Sequence, residues 1–308
     1  MTTDIKELPH MKLLVFGSVN IDHVYQLPHF VREGETLASA AYHKNEGGKG
    51  TNQAIALAKA GMDVWFAGAI GQDGLFMRDY LKEFGINTEE LRVLDVPTGH
   101  AVIQVNAKGE NSIILYGGAN QKITPSMISE TLEHFSSSDC LLMQNEISCG
   151  KELLEAAAEK GLFIVLNPSP VSEQMLSWPL HLVDLFILNE VEGKDLTGEI
   201  EPERILDVLT ERYPKARIVL TLGSQGSVYA SGRERMTQHA FTVPTVDTTA
   251  AGDTFTGYFL SSLLKEKNVG HALFTASVAS SITVTRHGAG RSIPGVEEVQ
   301  AACDSKLG

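Results

Sequence analysis

A run of small residues, a carboxylate and a helix start suggest phosphate chemistry in segment 245–255, which reads TVDTTAAGDTF. Apolar side chains recur at helical spacing from residue 254 onward, so Asp253 falls in the first turn of a predicted helix. Three residues with little or no side chain precede it: Ala250, Ala251 and Gly252. Their backbone N–H groups can approach an anion closely, and the helix dipole favours negative charge there. The pattern predicts a phosphate cradle with a base beside it; an acidic residue in a first turn is also ordinary capping.

Two polar side chains follow the first apolar run of the chain, which spans 13–19. Asn20 and Asp22 stand two positions apart, so in an extended segment both face the same way. A carboxylate accepts hydrogen bonds from two hydroxyls, and an amide both donates and accepts. The pair could therefore bind a polyhydroxyl ligand, or it could lie at a solvated strand edge.

A glycine-rich segment, 46–53, opens a second predicted helix and contains Lys49 and Asn52. Gly50 follows Lys49 where a Walker A loop needs Ser or Thr, and the glycine spacing does not match the dinucleotide fingerprint. Glycines at a helix start still indicate that a ligand approaches the backbone closely.

Short apolar runs alternate with helical patterns along most of the chain. Strands are predicted at 13–19, 64–69, 140–144, 162–166, 185–188 and 218–222. Helices are predicted at 75–84, from 124 onward, and at 150–160, 202–213 and 270–285, the last taken as the final long helix. This alternation predicts an α/β fold with a mostly parallel sheet covered on both faces.

Ligands bind at the carboxyl ends of the strands in such sheets. Glu146 follows one predicted strand, and Asn189 and Glu192 follow another, so these side chains are candidates for ligand contacts or are merely solvated. A predicted hairpin, 102–105 with 112–116, interrupts the alternation. It could join region 20–45 in a small sheet that covers the site, or it could be a surface hairpin.

Composition narrows the class of partner. The 308 residues carry a formal net charge of −13, which argues against a protein that binds nucleic acid or an anionic membrane through a basic surface. Small molecules are the expected partners. The three cysteines form no CxxC pair, and the chain shows neither a signal peptide nor an apolar run of membrane-spanning length, which fits a cytoplasmic protein. Residues 1–11 are expected to be an N-terminal extension.

Five ordered segments together resemble the ribokinase branch of the PfkB carbohydrate kinase family: 17–22 (GSVNID), 47–54 (GGKGTNQA), 189–192 (NEVE), 221–226 (TLGSQG) and 247–253 (DTTAAGD). The resemblance spans about residues 12–295. It implies a doubly wound α/β domain over 12–300, with a β-sheet lid from about 20–45 and 97–118 that often forms a dimer interface. It also implies ATP-dependent phosphorylation of a sugar hydroxyl, with Asp253 as the base and an anion hole at Ala250, Ala251 and Gly252.

The same resemblance implies roles for further residues. The implied sugar contacts are Asn20, Asp22, Gly48, Lys49, Asn52, Glu146 and Asp253. The implied ATP contacts are Asn189, Thr221, Gly223, Gly226 and Gly252. Glu192 completes a pattern associated with Mg²⁺, held through water, which suits a cation that keeps its hydration shell. A K⁺ site is implied at Asp247, the Thr249 carbonyl, Arg286, Gly288 and Ser292. Asp247 could instead be a turn residue before the helix.

The sequence leaves the substrate open. His100 lies beside a position that is usually apolar in ribokinases, and Thr51 replaces the commoner Ala. D-Ribose is the first choice; deoxyribose, a ketohexose and a nucleoside are alternatives. A sugar phosphate is another, and its second phosphate would need basic residues such as Arg32, Lys44 or Lys108. A catalytically idle sugar-binding regulator on the same fold is the alternative of a different class.

Overall fold

The structure is a computed structural model that describes residues 11–266 and 268–307. The predicted N-terminal extension, 1–11, lies outside the described residues except for Met11. The described chain contains thirteen strands and ten α-helices. Within it, no helix is both long enough and apolar enough to cross a membrane.

The strands are β1 (Leu13–Phe16), β2 (Asn20–Gln26), β3 (Ala41–Gly47), β4 (Val64–Gly71), β5 (Leu91–Leu94), β6 (Gly99–Val105), β7 (Asn111–Tyr116), β8 (Cys140–Gln144), β9 (Phe163–Asn167), β10 (Leu185–Asn189), β11 (Arg217–Thr221), β12 (Ser227–Ser231) and β13 (Glu234–Gln238). The helices are α1 (Lys49–Lys59), α2 (Leu75–Glu83), α3 (Pro125–Leu132), α4 (Gly150–Glu159), α5 (Glu173–Leu176), α6 (Glu190–Thr197), α7 (Pro202–Arg212), α8 (Ala251–Glu266), α9 (Val269–Thr283) and α10 (Val296–Leu307).

Nine strands form the larger sheet, in the order β13-β12-β11-β10-β9-β8-β1-β4-β5. The seven strands from β11 to β5 run parallel, while β12 and β13 are antiparallel at one edge. The sequence order reverses on either side of β1, so the sheet is doubly wound. Parallel strands need crossover connections, which the helices supply on both faces of the sheet.

Alternate side chains of each central strand enter two separate cores. On β1, Leu13 and Val15 pack with α1, α2, α8, α9 and α10, whereas Leu14 and Phe16 pack with α3, α4, α6 and α7 on the other face. All four side chains are almost completely buried. Burying one such side chain contributes roughly 1.5–3 kcal/mol, so these runs fix both the strand and its register.

Four strands form a second, smaller sheet in the order β3-β2-β6-β7, called the lid sheet below. β2 and β6 are parallel, and β3 and β7 pair antiparallel with them at the two edges. The prediction that the hairpin joins region 20–45 in a small separate sheet is confirmed. β3 extends to Gly47, two residues beyond the predicted end of the lid at 45.

The predicted α/β class is confirmed, and several predicted boundaries need correction. The first strand ends at Phe16 rather than at residue 19, because the chain leaves the large sheet there to enter the lid sheet. The helix predicted at 270–285 is Val269–Thr283 and is not the last helix, since Val296–Leu307 follows it.

Candidate active site

Asp253 lies in the first turn of α8, as predicted. Ala250, just before the helix, has a left-handed backbone with φ 59°, and its carbonyl accepts a hydrogen bond from the Thr254 N–H at 2.8 Å. The Ala251 N–H donates to the Thr248 carbonyl at 3.2 Å. It is therefore engaged in the turn, which leaves the Gly252 and Asp253 N–H groups as first-turn donors without intrahelical acceptors.

Two side-chain amides of α1 hold the Asp253 carboxylate. Asn52 Nδ2 donates to Asp253 Oδ2 at 3.1 Å, and Gln53 Nε2 donates to Asp253 Oδ1 at 3.0 Å. The Asn52 Oδ1 atom is buried and has no hydrogen-bond partner among the described residues. An unpaired acceptor beside a candidate base is a suitable contact for a substrate hydroxyl, because a buried polar atom is costly to leave without a partner.

Lys49 and Glu146 approach this carboxylate from the loops at the start of α1 and after β8. Glu146 Oε2 accepts a short hydrogen bond from the Ser18 hydroxyl and a longer one, 3.3 Å, from the Lys49 N–H. Burial raises the pKa of Glu146, against the opposite effects of the Lys49 ammonium and the Ser18 hydroxyl. Burial lowers the pKa of Lys49, but three nearby carboxylates raise it more, so the pKa lies above its ordinary value. These are the carboxylates of Asp253, Glu146 and Glu192.

Asn20 and Asp22 face the same side of the lid sheet, as predicted from their spacing. Asn20 Oδ1 accepts from Asn120 Nδ2 at 2.9 Å. The Asp22 carboxylate accepts no hydrogen bond from the residues that the structure describes, and burial together with the Glu146 charge raises its pKa to about 6. Two carboxylates that repel one another, of which Asp22 has no donor within the described chain, form a site suited to the hydroxyls of a sugar.

Gly48 shows why the glycine-rich turn is needed at the start of α1. Its φ is 97°, a left-handed conformation that favours glycine, and a Cβ there would lie 2.8 Å from the Ser18 carbonyl oxygen. Any larger residue would strain the turn that leads directly into Lys49. The predicted sugar-side residues are thus brought together from β2, α1, the loop after β8, and α8.

A cavity of about 400 Å³ lies between the turn after β11 and the helices α8 and α9. Its lining includes Thr221, Gly223, Gly226 and Gly252, four of the five predicted ATP contacts. The fifth, Asn189, lines a smaller adjoining cavity of about 70 Å³ together with Lys49, Glu192 and Asp253. Since Thr221 and Gly252 border both cavities, the larger one opens towards the base.

Glu192 and Asn189 form a reciprocal cap at the start of α6. The Glu192 N–H donates to Asn189 Oδ1 at 2.9 Å, while Glu192 oxygens accept from the Asn189 N–H and Nδ2, both at 3.0 Å. Asn167 Nδ2 lies 3.4 Å from Glu192 Oε2. With its oxygens already accepting hydrogen bonds, Glu192 fits a hydrated Mg²⁺ better than a directly coordinated one.

Asp247 joins the segment before α8 to the turn after α9. Its Oδ1 accepts from the Thr249 N–H at 2.9 Å and the Thr249 hydroxyl at 2.6 Å, and its Oδ2 accepts from the Gly288 N–H at 3.0 Å. Burial raises the pKa of Asp247, but these bonds lower it below its ordinary value. The Arg286 side chain pairs instead with Glu298, and the Ser292 hydroxyl donates to the Ala289 carbonyl at 2.6 Å.

The decisive comparison concerns the family profile described as pfkB family carbohydrate kinase, which matches residues 11–295. The chain belongs to this family. It is 39% identical over 299 residues to a Haemophilus influenzae protein named ribokinase, covering 93% of this chain and 96% of that protein. The family assignment makes the chain a carbohydrate kinase, and it agrees with the resemblance carried by the five segments.

Two solved ribokinases have the same fold. The Cryptococcus neoformans var. grubii serotype A enzyme in complex with ADP superposes with a TM-score of 0.84 at 37% identity, covering 94% of this chain and 99% of that chain. The Arabidopsis thaliana enzyme complexed with ribose and ATP superposes with a TM-score of 0.83 at 28% identity, covering 96% and 99%.

Five residues at the candidate site did not emerge from the sequence as candidates: Ser18, Gln53, Asn120, Gln144 and Asn167. Ser18 and Gln53 lie within two of the five segments that resemble the family, 17–22 and 47–54, so the sequence could have indicated them. No spacing rule connects the other three to the site, because each reaches it across about 90 residues or more of intervening chain. Conversely, His100 pairs with Ile21 in the lid sheet and so faces away from Asp22.

Proposed function

We propose that this carbohydrate kinase transfers the γ-phosphoryl group of ATP to the primary hydroxyl of D-ribose, which gives D-ribose 5-phosphate and ADP. The proposal rests on the position of Asp253. This residue lies at the start of α8, contacts the sugar-side residue Asn52, and lines the smaller cavity. Asp253 takes the proton of the attacking hydroxyl. The hydroxyl oxygen bonds to the γ-phosphorus as the bond from that phosphorus to the bridging oxygen breaks, and ADP leaves with the electron pair.

The chain's own groups supply charge stabilisation for this transfer. The Gly252 and Asp253 N–H groups point out of the helix start, where the dipole favours the anionic phosphoryl group. Ala250 and Ala251 shape the turn that presents them. Lys49, held charged by its carboxylate neighbours, lies beside both Asp253 and the smaller cavity, so it can accompany the phosphoryl group as it moves.

Ribose is favoured as the substrate for two reasons. The Haemophilus relative is named ribokinase, and the Arabidopsis ribokinase is described in complex with ribose and ATP. Apart from Lys49, whose charge already faces Asp253 and Glu146, the sugar side offers acceptors, namely Asp22, Glu146 and the Asn52 carbonyl. A sugar phosphate is disfavoured because Lys44 lies over the Phe76 ring at 4.1 Å, and Arg32 and Lys108 are exposed.

Two cations complete the proposal. Mg²⁺ would enter with ATP and neutralise phosphate charge, held through water by Glu192. K⁺ would bind between Asp247, the Thr249 carbonyl and the turn containing Arg286, Gly288 and Ser292, where the bond from Gly288 already draws the two segments together. The Arg286 and Ser292 side chains have other partners, so their contribution would come from backbone carbonyls.

Assembly and location form the last part of the proposal. We infer a homodimer joined through the lid sheet, whose edge strand β7 exposes Ile113 and Leu115 at 55% and 54%. Exposed apolar side chains in a row on an edge strand are a typical protein interface. The use of ATP and the free cysteines Cys140, Cys149 and Cys303 support a cytoplasmic location.

ADP release with Mg-ATP tests the proposal over a panel of free sugars, sugar phosphates and nucleosides, each in K⁺ and in Na⁺. We expect saturable turnover on ribose that K⁺ stimulates. Asp253→Asn should lower kcat by about 10²- to 10⁴-fold and leave ribose binding, measured by calorimetry, largely intact, because a placed base contributes about that much.

Asp195→Asn, an exposed carboxylate of α6, is the matched control and should keep full activity. Preference for another sugar would keep the mechanism and replace ribose as the substrate. Ribose binding without turnover on any member of the panel would favour the regulator, and full activity of Asp253→Asn would refute the base assignment.

A further inference from the structure

Three buried side-chain amides form a continuous hydrogen-bonded row beneath Asp253. Gln144 and Gln53 are fully buried, with 0% exposure, and Asn167 is 8% exposed. They come from β8, α1 and β9, so the row crosses from the sheet to the helix that carries Asn52. Buried amides are costly unless paired, and among the polar atoms of this row only Gln144 Oε1 lacks a partner within the described chain, so the row is a feature that needs an explanation.

Gln53 is the centre of this row and has its side chain fully committed. Its Nε2 donates to Asp253 Oδ1 at 3.0 Å and to Asn167 Oδ1 at 2.9 Å, while its Oε1 accepts from Gln144 Nε2 at 2.7 Å. An amide has two N–H donors, and here both are used. Rotating the amide by 180° would set its oxygen against two acceptors, Asp253 Oδ1 and Asn167 Oδ1, so these two oxygens fix which end of the Gln53 amide faces Asp253.

The far end of the row is anchored independently of α1. Asn167 Nδ2 donates to the Ile187 carbonyl at 2.9 Å, and the same nitrogen lies 3.4 Å from Glu192 Oε2. These contacts fix the Asn167 amide so that its oxygen points to Gln53. The donor that meets Asp253 is therefore held by the large sheet and not by α8.

We propose that Gln53 is a positioning residue that acts through Asp253. Its N–H holds Oδ1 while Asn52 holds Oδ2, which sets the plane of the carboxylate that receives the hydroxyl proton. This inference rests on the proposed sugar-kinase function. A base must lie within hydrogen-bond reach of the proton, and a misplacement of about 1 Å can cost about a hundredfold in rate, so loss of one holder should affect kcat.

The first test replaces Gln53 by Met, which keeps the volume and removes the donors. We expect kcat to fall by about tenfold or more, while the KM for Mg-ATP and the Kd for ribose change less than about twofold. If Gln53→Met does not fold, the smaller Gln53→Leu carries the same test, because it also removes the N–H that meets Asp253 and adds no charge beside that carboxylate. Thr210→Val removes a buried hydroxyl in α7, remote from the site, and controls for general loss of packing.

The second test is a double-mutant cycle that a purely structural role would not satisfy. In an Asp253→Asn background, Gln53→Met should lower the residual kcat by less than about twofold, since the base through which Gln53 acts is already lost. If the double variant loses activity by the product of the two single losses, or if Gln53→Met alone has a normal kcat, the inference is overturned and the kinase proposal stays intact. A wild-type chain that fails to phosphorylate any sugar would instead refute the proposed function.

Discussion

Asp22 illustrates how a binding residue can be held ready at the expense of stability. Its carboxylate is partly buried, faces the charge of Glu146, and receives no hydrogen bond within the described chain. Hydroxyl groups of a sugar would supply the missing donors. The unfavourable contact in the empty site is therefore relieved when the substrate binds, and this relief adds to the affinity.

This arrangement predicts a pH-dependent gain in stability for Asp22→Asn. The pKa of Asp22 is raised from 3.8 to about 6, so the folded state binds the extra proton between those values and the stability contributed by Asp22 falls as the pH rises through them. Removing the charge should add at most about 3 kcal/mol at pH 8, the equivalent of the pKa shift, and nothing below about pH 4; partial exposure of the group makes the gain smaller than this limit. Urea unfolding at pH 8, 6 and 4 measures this.

Asp195→Asn serves as the control in the same titration, because its carboxylate is exposed. If the free energy of unfolding differs between Asp22→Asn and wild type by the same amount at all three pH values, the charge on Asp22 does not destabilise the folded state. Ribose affinity should fall in Asp22→Asn even where stability rises, which separates the binding role from the folding one.

At the scale of elements, the crossing of α1 and α8 positions the candidate base. α1 carries the two amides and α8 the carboxylate, and the helices meet at Ala56 and Gly257. A Cβ on Gly257 would lie 2.4 Å from the Ala56 Cβ and 2.9 Å from its carbonyl carbon, both closer than van der Waals contact allows. The absence of a side chain at this position thus sets the distance between the helices.

Gly257→Ala should therefore separate α1 from α8 and have two effects. Overpacking costs about 1–3 kcal/mol, measurable by denaturant unfolding, and the displaced amides should lower kcat by about tenfold or more. Gly295→Ala is the control, since a Cβ there meets nothing within 4 Å. Unchanged stability of Gly257→Ala would show that the helices can shift without cost. An unchanged kcat would show that the spacing of the helices does not determine the position of the Asp253 carboxylate.

Prediction from sequence succeeded for elements whose burial repeats regularly and failed for others. The central strands β1, β4 and β8–β11 are apolar runs bounded by turns, and helices α2, α4 and α7 have one apolar face. β3, β5, β12, β13 and α10 were not predicted. β3, for example, has the sequence AYHKNEG and is mostly exposed. Its pairing with β2 depends on backbone hydrogen bonds, which the side-chain pattern does not predict.

The same limit applies to the site. Asp253, Lys49 and Asn52 stand in motifs, and the structure brings them together as expected. The row of Gln144, Gln53 and Asn167 depends on contacts between residues separated by 91 and 114 positions, which only the folded sheet creates. His100 shows the reverse case, because strand alternation turns it towards Tyr116 and His23, away from the sugar side.

At the scale of the whole molecule, the lid sheet leaves an apolar face uncovered. Ile113 pairs with Ile103 in the ladder, and Ile103 pairs with Val24, so all three lie on the face that carries Asp22. Around Asp22, that face of the lid sheet covers the site. Strand β7 extends beyond the site and is exposed throughout. A second copy that covers the same face would bury these side chains and hold both lid sheets over their sites.

Ile113→Glu should convert the proposed dimer into a monomer, because a charge at the centre of an apolar interface has no partner there. Sedimentation velocity at micromolar concentration measures the change. Ile200→Glu is the matched control, since Ile200 is 70% exposed but lies outside the lid sheet, and it should remain dimeric. A monomeric wild type, or dissociation by both variants alike, would rule out the lid sheet as the interface.

The negative net charge of the whole molecule affects the rate at which the nucleotide binds. With a net charge of −13, the molecule repels an anionic nucleotide at long range. Added salt shortens the Debye length from about 30 Å at 0.01 M to about 8 Å at 0.15 M and so weakens this repulsion. Stopped-flow association of Mg-ATP should consequently speed up with ionic strength, the opposite of an electrostatically steered encounter, and binding of the uncharged sugar should hardly change.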